Sequence, residues 1–165
     1  MTCSELIKNN YDNPNFSNKI IIPNPFFTLP LLNLVSSDKE VHDADYDVTN
    51  IIGTDRDSFY NLTWKNAVIE VLKNKNDYNF KCESTNKLGY YNNSTRQSKA
   101  IDTWTIIDIE GKGFITAGNH RSIVCKYLHN LKKIDKTIKG LNHVRYIKLT
   151  ETGKKEFGKY LAQYS

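Results

Sequence analysis

The residues best equipped for chemistry are Gly118-Asn119-His120-Arg121-Ser122. Glycine permits a sharp turn, and histidine and arginine offer hydrogen-bond donors to an anion. The strand-like run Phe114-Ile115-Thr116-Ala117 precedes them. Ile123, Val124, Tyr127, Leu128 and Leu131 follow at the spacing of one helix face. His120 and Arg121 are therefore expected at or beside a helix N-terminus, with Ser122 opening the helix. Backbone N–H groups there lack intrahelical partners and the helix dipole is positive. Gly118, Asn119, His120, Arg121 and Ser122 form a candidate phosphate- or nucleotide-binding set. Arg96, from the polar stretch upstream, is a second candidate cation. The guanidinium fork of Arg121 suits two phosphate oxygens at once, from the surface of a cleft. The competing reading makes Gly118 a plain turn and pairs Arg121 with an acid such as Asp108 or Glu110.

Carboxylates form the second feature. Residues 38–57 hold seven Asp or Glu against one Lys and one Arg. The spaced Asp43, Asp45 and Asp47 suggest a calcium loop. An EF-hand needs glycine at its sixth position and glutamate at its twelfth, and Val48 and Thr54 stand there. A solvated acidic face is the plain reading of this stretch. The functional one is a carboxylate site for Mg²⁺, or a general base near bound phosphate.

Ala117-Gly118-Asn119-His120-Arg121 followed by an apolar helix resembles the phosphate loop of the ParB/sulfiredoxin superfamily. The resemblance extends to fertility-inhibition proteins of conjugative plasmids, through Asp55-Arg56-Asp57-Ser58-Phe59-Tyr60-Asn61-Leu62 and Tyr90-Tyr91-Asn92-Asn93-Ser94-Thr95-Arg96. It covers roughly residues 40 to 150. It implies a ParB/sulfiredoxin-like fold that binds ATP or CTP with Mg²⁺, and an NTPase or DNA nuclease of a plasmid or mobile element. Asp55 and Asp57 become the first choices for metal. His120, Asp55, Asp57 and Glu110 become candidate catalytic residues, His120 donating a hydrogen bond or proton and a carboxylate orienting water. One departure matters. Sulfiredoxins carry their catalytic cysteine where Asn119 stands, and an amide is no thiolate nucleophile. Sulfinic-acid reduction is not expected. Nor does the length after residue 150 suggest the helix-turn-helix domain of chromosome-partitioning ParB proteins.

The elements that would position these residues follow in order. Residues 1–20 suggest a flexible arm with a short helix around Leu6. Residues 21–165 suggest one domain, of α/β (α+β) class, with a small mixed sheet and flanking helices. Ile20-Ile21-Ile22 reads as a strand. Phe26 to Val35, interrupted by Pro30 and Asn33, reads as an irregular apolar cover. Thr63 is placed to cap a helix carrying Trp64, Ala67, Val68, Val71 and Leu72. Tyr90, Tyr91 and Arg96 could stack on a base and hold phosphate. Trp104–Ile109 and Phe114–Ala117 flank a hairpin turn at Glu110-Gly111-Lys112-Gly113. Gly140 reads as a turn before a strand at His143–Leu149. Thr150 is placed to cap a final helix with Phe157, Tyr160, Leu161 and Tyr164 on one face.

Composition narrows the class. The 165 residues are 39% hydrophobic and 25% charged, with a formal net charge of +5. No apolar run nears the ~18 residues of a membrane helix, and no signal peptide is apparent. Cys3, Cys82 and Cys125 are widely spaced, which supports neither a zinc site nor a disulfide framework. A cytoplasmic location is expected. From Lys126 onward ten Lys or Arg face three Asp or Glu, which favours DNA or an acidic partner. Two alternatives stay open. One is a winged-helix-like DNA-binding regulator using the helix from Ser122. The other is a catalytically silent inhibitor that binds a protein partner.

Overall fold

The computed structural model describes residues 3–10, 19–26, 33–73 and 104–164. Helix α1 spans Cys3–Asn10, strand β1 Ile22–Pro23 and strand β2 Val35–Asp47. A short 3-10 turn, Val48–Asn50, leads into β3, Ile51–Thr54. A second such turn, Asp57–Phe59, precedes α2, Trp64–Lys73. Then come β4 (Thr105–Ile109), β5 (Lys112–Ala117), α3 (Asn119–Asn130), β6 (Thr137–Leu149) and α4 (Glu151–Ala162). The fold is mixed α/β. Its described strands form one sheet in the order β1-β3-β5-β4-β6-β2. β1, β3 and β5 run parallel, β4 is antiparallel to β5, β6 is parallel to β4, and β2 is antiparallel to β6.

Local chemistry explains most of these elements. β4 holds three isoleucines, and with Trp104 just before it the alternation feeds two cores. Trp104 and Ile106 enter one cluster, Ile107 and Ile109 the other. The first cluster gathers α1, α2 and α3 over one face, including Leu6, Ile7, Val68 and Leu128. The second gathers Phe157 of α4 with Phe26, Phe114 and Ile147 on the opposite face. Burying each such side chain contributes roughly 1.5–3 kcal/mol. The β4–β5 turn uses Glu110 at φ 51° and Gly111 at φ 83°, the two positive values of a tight hairpin. Both expected caps are present. Thr63 Oγ1 accepts from Asn66 N at 3.1 Å, and Thr150 Oγ1 from Gly153 N at 3.1 Å.

Some elements differ from the sequence reading. The acidic stretch is largely strand. Residues 36–40 are exposed on β2, at the end of the sheet order, where charged side chains stay in water. Ala44 and Tyr46 alternate inward and are buried. α3 begins at Asn119 rather than Ser122. β6 begins at Thr137, so Gly140 lies within a strand. The short helix expected around Leu6 does form, as α1, and it packs Leu6 and Ile7 into the core.

β2 and β6 pair from Val35 with Leu149 to Asp47 with Thr137, but β4 engages β6 only from His143 to Ile147. Near the midpoint Asp43 has φ 52° and Gly140 φ 65°, and the register shifts between Ala44 and Tyr46. The ribbon bends there and returns over the sheet. It delivers the Tyr46 hydroxyl as a donor to the Asp108 carboxylate. Burial, then that bond, pushes the Tyr46 phenol far above its ordinary range.

Candidate functional site

The carboxyl ends of β1, β3 and β5 meet along one edge. Pro23 lies beside Thr54, and Thr54 beside Ile115. Asn24 N donates to Thr54 O at 2.8 Å, and Asp55 N to Ile115 O at 3.1 Å. β5 ends at Ala117, and Gly118 turns the chain at φ 81°, ψ 36°. A Cβ there would sit 2.9 Å from Trp104 Cδ1, so both conformation and space require glycine.

Three bonds lock the turn. Ser122 N and Ser122 Oγ both donate to Gly118 O, at 3.0 and 2.8 Å. Trp104 Nε1 donates to Ser122 Oγ at 2.8 Å. The Ser122 hydroxyl is thus committed to holding the loop and is fully buried. Asn119 is buried as well, and its side-chain carbonyl accepts from the Thr54 hydroxyl. Thr54 Oγ1 in turn accepts from Arg56 N at 3.0 Å. This bridge fastens the end of β3 to the start of α3. Gly118 supplies no side-chain cap, and the N-terminus of α3 lies at this edge.

Arg121 departs from expectation. It is only 6% exposed, and its guanidinium carbon lies 5.4 Å from the Trp104 ring centroid. Arg121 shares the buried side of α3 with Cys125 and Leu128, and the indole face offers its charge a partner. Neither proposed acid approaches it. Asp108 accepts from Tyr46 and from Gly111 N at 2.9 Å. Glu110 Oε1 accepts from Leu149 N at 2.6 Å. The six residues of β5, at ~3.3 Å each, place Glu110 about 20 Å from Gly118. Glu110 is therefore a structural cap on the opposite end of the sheet, not part of this edge.

His120 is half-buried, with its ring edge-on to Phe59 at 5.5 Å and 83°. The Arg56 guanidinium carbon lies 6.0 Å from the same Phe59 ring centroid. Arg56, Asp55 and Asp57 are all exposed. Partial burial nevertheless raises the Asp55 carboxyl above its ordinary value. Among the described residues no three of His, Cys, Asp and Glu gather as a metal centre. Mg²⁺ needs only one or two carboxylates beside phosphate oxygens and water, and Asp55 and Asp57 suit that role.

Two residues that were not among the expected site residues join the edge. Arg56 brings an exposed cation to the Phe59 ring that His120 also meets. Asn24 is buried and its Nδ2 has no partner among the described residues. Asn24 enters through the β1–β3 register, which no sequence spacing reveals. Arg96, Tyr90, Tyr91 and Cys82 lie outside the described residues. Cys125 is buried and packed in the first cluster.

Fold and edge together define a mixed α/β protein whose sequence-marked loop closes a parallel three-strand edge. Among the described residues no helix is long and apolar enough to cross a membrane. The chain matches no family model, no curated protein and no solved structure.

Proposed function

We propose that this edge binds the phosphates of a nucleoside triphosphate, ATP or CTP, in a ParB/sulfiredoxin-like domain acting as an NTPase or DNA nuclease. The observation that supports this most is the convergence of Thr54–Asp57 and Gly118–Arg121 at the carboxyl ends of parallel strands. Open α/β sheets hold ligands outside such ends. In this reading the first-turn N–H groups of α3 donate hydrogen bonds to a phosphate oxygen. His120 donates to it, and Arg56 reaches it from the rim. Arg121, held on Trp104, adds fixed positive charge under the loop. Asp55 and Asp57 would hold Mg²⁺, which would neutralise charge developing on the phosphates.

The recognition-helix alternative has less support. Asn119, Arg121, Ser122, Ile123, Val124, Cys125, Tyr127 and Leu128 of α3 are all buried, which leaves few side chains for a DNA groove.

Calorimetric titration of ATP, CTP and a short duplex, with and without Mg²⁺, tests the proposal. Binding of one nucleotide, weakened about 10-fold or more by Arg56→Ala at an unchanged melting temperature, is the expected result. Absence of nucleotide binding would overturn it, and duplex binding indifferent to nucleotide would favour a DNA-binding regulator.

A further inference from the structure

A cavity of about 1340 Å³ opens at the other end of α3, where β3 and β5 begin. Small-molecule sites commonly measure ~300–1,000 Å³, so this one has room for a ligand and water. Among the described residues Lys19, Lys112, Lys126 and Lys132 line it with His129, and no Asp or Glu does. These residues come from the segment before β1, the start of β5, and α3 with its exit. The wall between them is aliphatic, formed by Ile22, Ile52 and Leu161 among others. Ile20, also on the lining, is a large hydrophobic residue left 40% exposed.

The cations are arranged at two depths. Lys19, Lys112 and Lys132 are exposed at the rim. Lys126 lies deeper, 4.6 Å from the Trp64 ring centroid, donating to Ile51 O at 2.6 Å. The C-terminal carbonyls of α3 would repel an anion, but three are already occupied. Tyr127 O, Leu128 O and His129 O accept from the N–H groups of Leu131, Lys133 and Lys132. Burial lowers the Lys126 ammonium to about 8; the charge of Lys19 adds to this, and Cys125 and Asp47 oppose it. A nearby ligand anion would relieve that cost.

We propose that this cavity is a second ligand site, distinct from the Gly118 edge, that takes a single small amphipathic anion: an aliphatic body carrying a carboxylate or phosphate. An aliphatic wall ringed by cations fits such a molecule, since lysine serves anions as a mobile point charge. A nucleotide fits less well, because most of the apolar lining is aliphatic.

The test uses the full chain and anilinonaphthalene sulfonate, an anionic amphiphile whose fluorescence rises in apolar surroundings. Monomeric dodecyl phosphate or laurate should displace the dye, and dodecanol should do so at least 10-fold less well. Lys112→Glu with Lys132→Glu, both at exposed positions, should weaken dodecyl phosphate at least 10-fold without moving the melting temperature. Ile20→Glu should act in the same direction. Arg56→Ala should leave dodecyl phosphate binding unchanged, which separates this site from the nucleotide edge. Equal displacement by dodecanol, or indifference to the lysine changes, would overturn the proposal. So would displacement by duplex DNA as strong as by dodecyl phosphate. Cosedimentation with phosphatidylglycerol vesicles that the lysine changes abolish would reassign the surface to a bilayer.

Discussion

The two ends of α3 contrast. At its N-terminus polar side chains are buried and bonded to one another: Thr54 with Asn119, Trp104 with Ser122, Arg121 over Trp104. At its C-terminus cations stand round an open cavity. The first end is written in consecutive residues and is built as a rigid fixture. The second comes from positions scattered between 19 and 164 and is built as a container. A motif therefore marks where the backbone must be held in one shape, which differs from where a ligand has most room.

Gly118→Val sharpens the contrast most. A branched side chain at φ 81°, against Trp104, combines left-handed strain with overpacking. A loss of roughly 3–5 kcal/mol is expected in urea unfolding. A loss under ~1 kcal/mol would show that the loop is soft.

Lys126 probes the other end. Its ammonium is lowered from 10.5 to about 8, chiefly by burial. Between those pH values the unfolded state binds more protons, so stability rises with pH and is lowest below 8. Relative to Lys126→Met, the wild type should gain on the order of 3 kcal/mol from pH 8 to 10.5. Parallel melting curves for the two proteins would contradict the buried-cation description.

Arg121→Ala comes next. Because the side chain is buried on Trp104, its loss should cost about 1–3 kcal/mol of stability. Nucleotide affinity should fall about 10- to 150-fold, with only partial recovery in Arg121→Lys. An unchanged affinity with a lowered melting temperature would make Arg121 purely structural.

The smallest effect is expected far from α3. Asp38 accepts from Arg145 Nε and Nη2 at 2.9 and 2.6 Å, at a partly exposed site. That bond to Arg145 is the main influence holding the Asp38 carboxyl below its usual value, against a little burial. Its contribution is present above the unfolded carboxylate pKa and lost as pH falls through the lower folded value. Asp38→Asn should cost about 0.5–1 kcal/mol near pH 7, as urea midpoints will show, and nothing once Asp38 is protonated in the folded state.

Much of this contrast follows from what periodicity can carry. Trp104–Ile109, Phe114–Ala117 and the helix after Thr150 were readable because their apolar positions repeat at strand or helix spacing. The Gly118 loop was readable because its residues are adjacent. β2 was not, since residues 36–40 face water and only Ala44 and Tyr46 alternate inward. The burial of Arg121 depended on Trp104 lying across from it, a contact set by the β4–β5 register. Glu110 looked like a catalytic candidate until the strand direction put it at the far end. The lysine cavity had no signal, because no spacing links residues 19, 112, 126 and 132.

The bent ribbon of β2 and β6 bears on how the chain is made. Its partners Asp38 and Arg145 are 107 residues apart. Closing a loop of ~100 residues costs about 2 kcal/mol more than closing one of ten, and such distant pairing slows folding. In the sheet order β6 lies between β4 and β2, so β2 has no seat until β6 has been synthesised. Nascent chains stalled on the ribosome before Thr137 should therefore be cut by protease far faster than chains in which β6 has fully emerged. Until β6 has emerged the acidic strand β2 lacks its partner, and its exposed charges oppose pairing with a wrong neighbour.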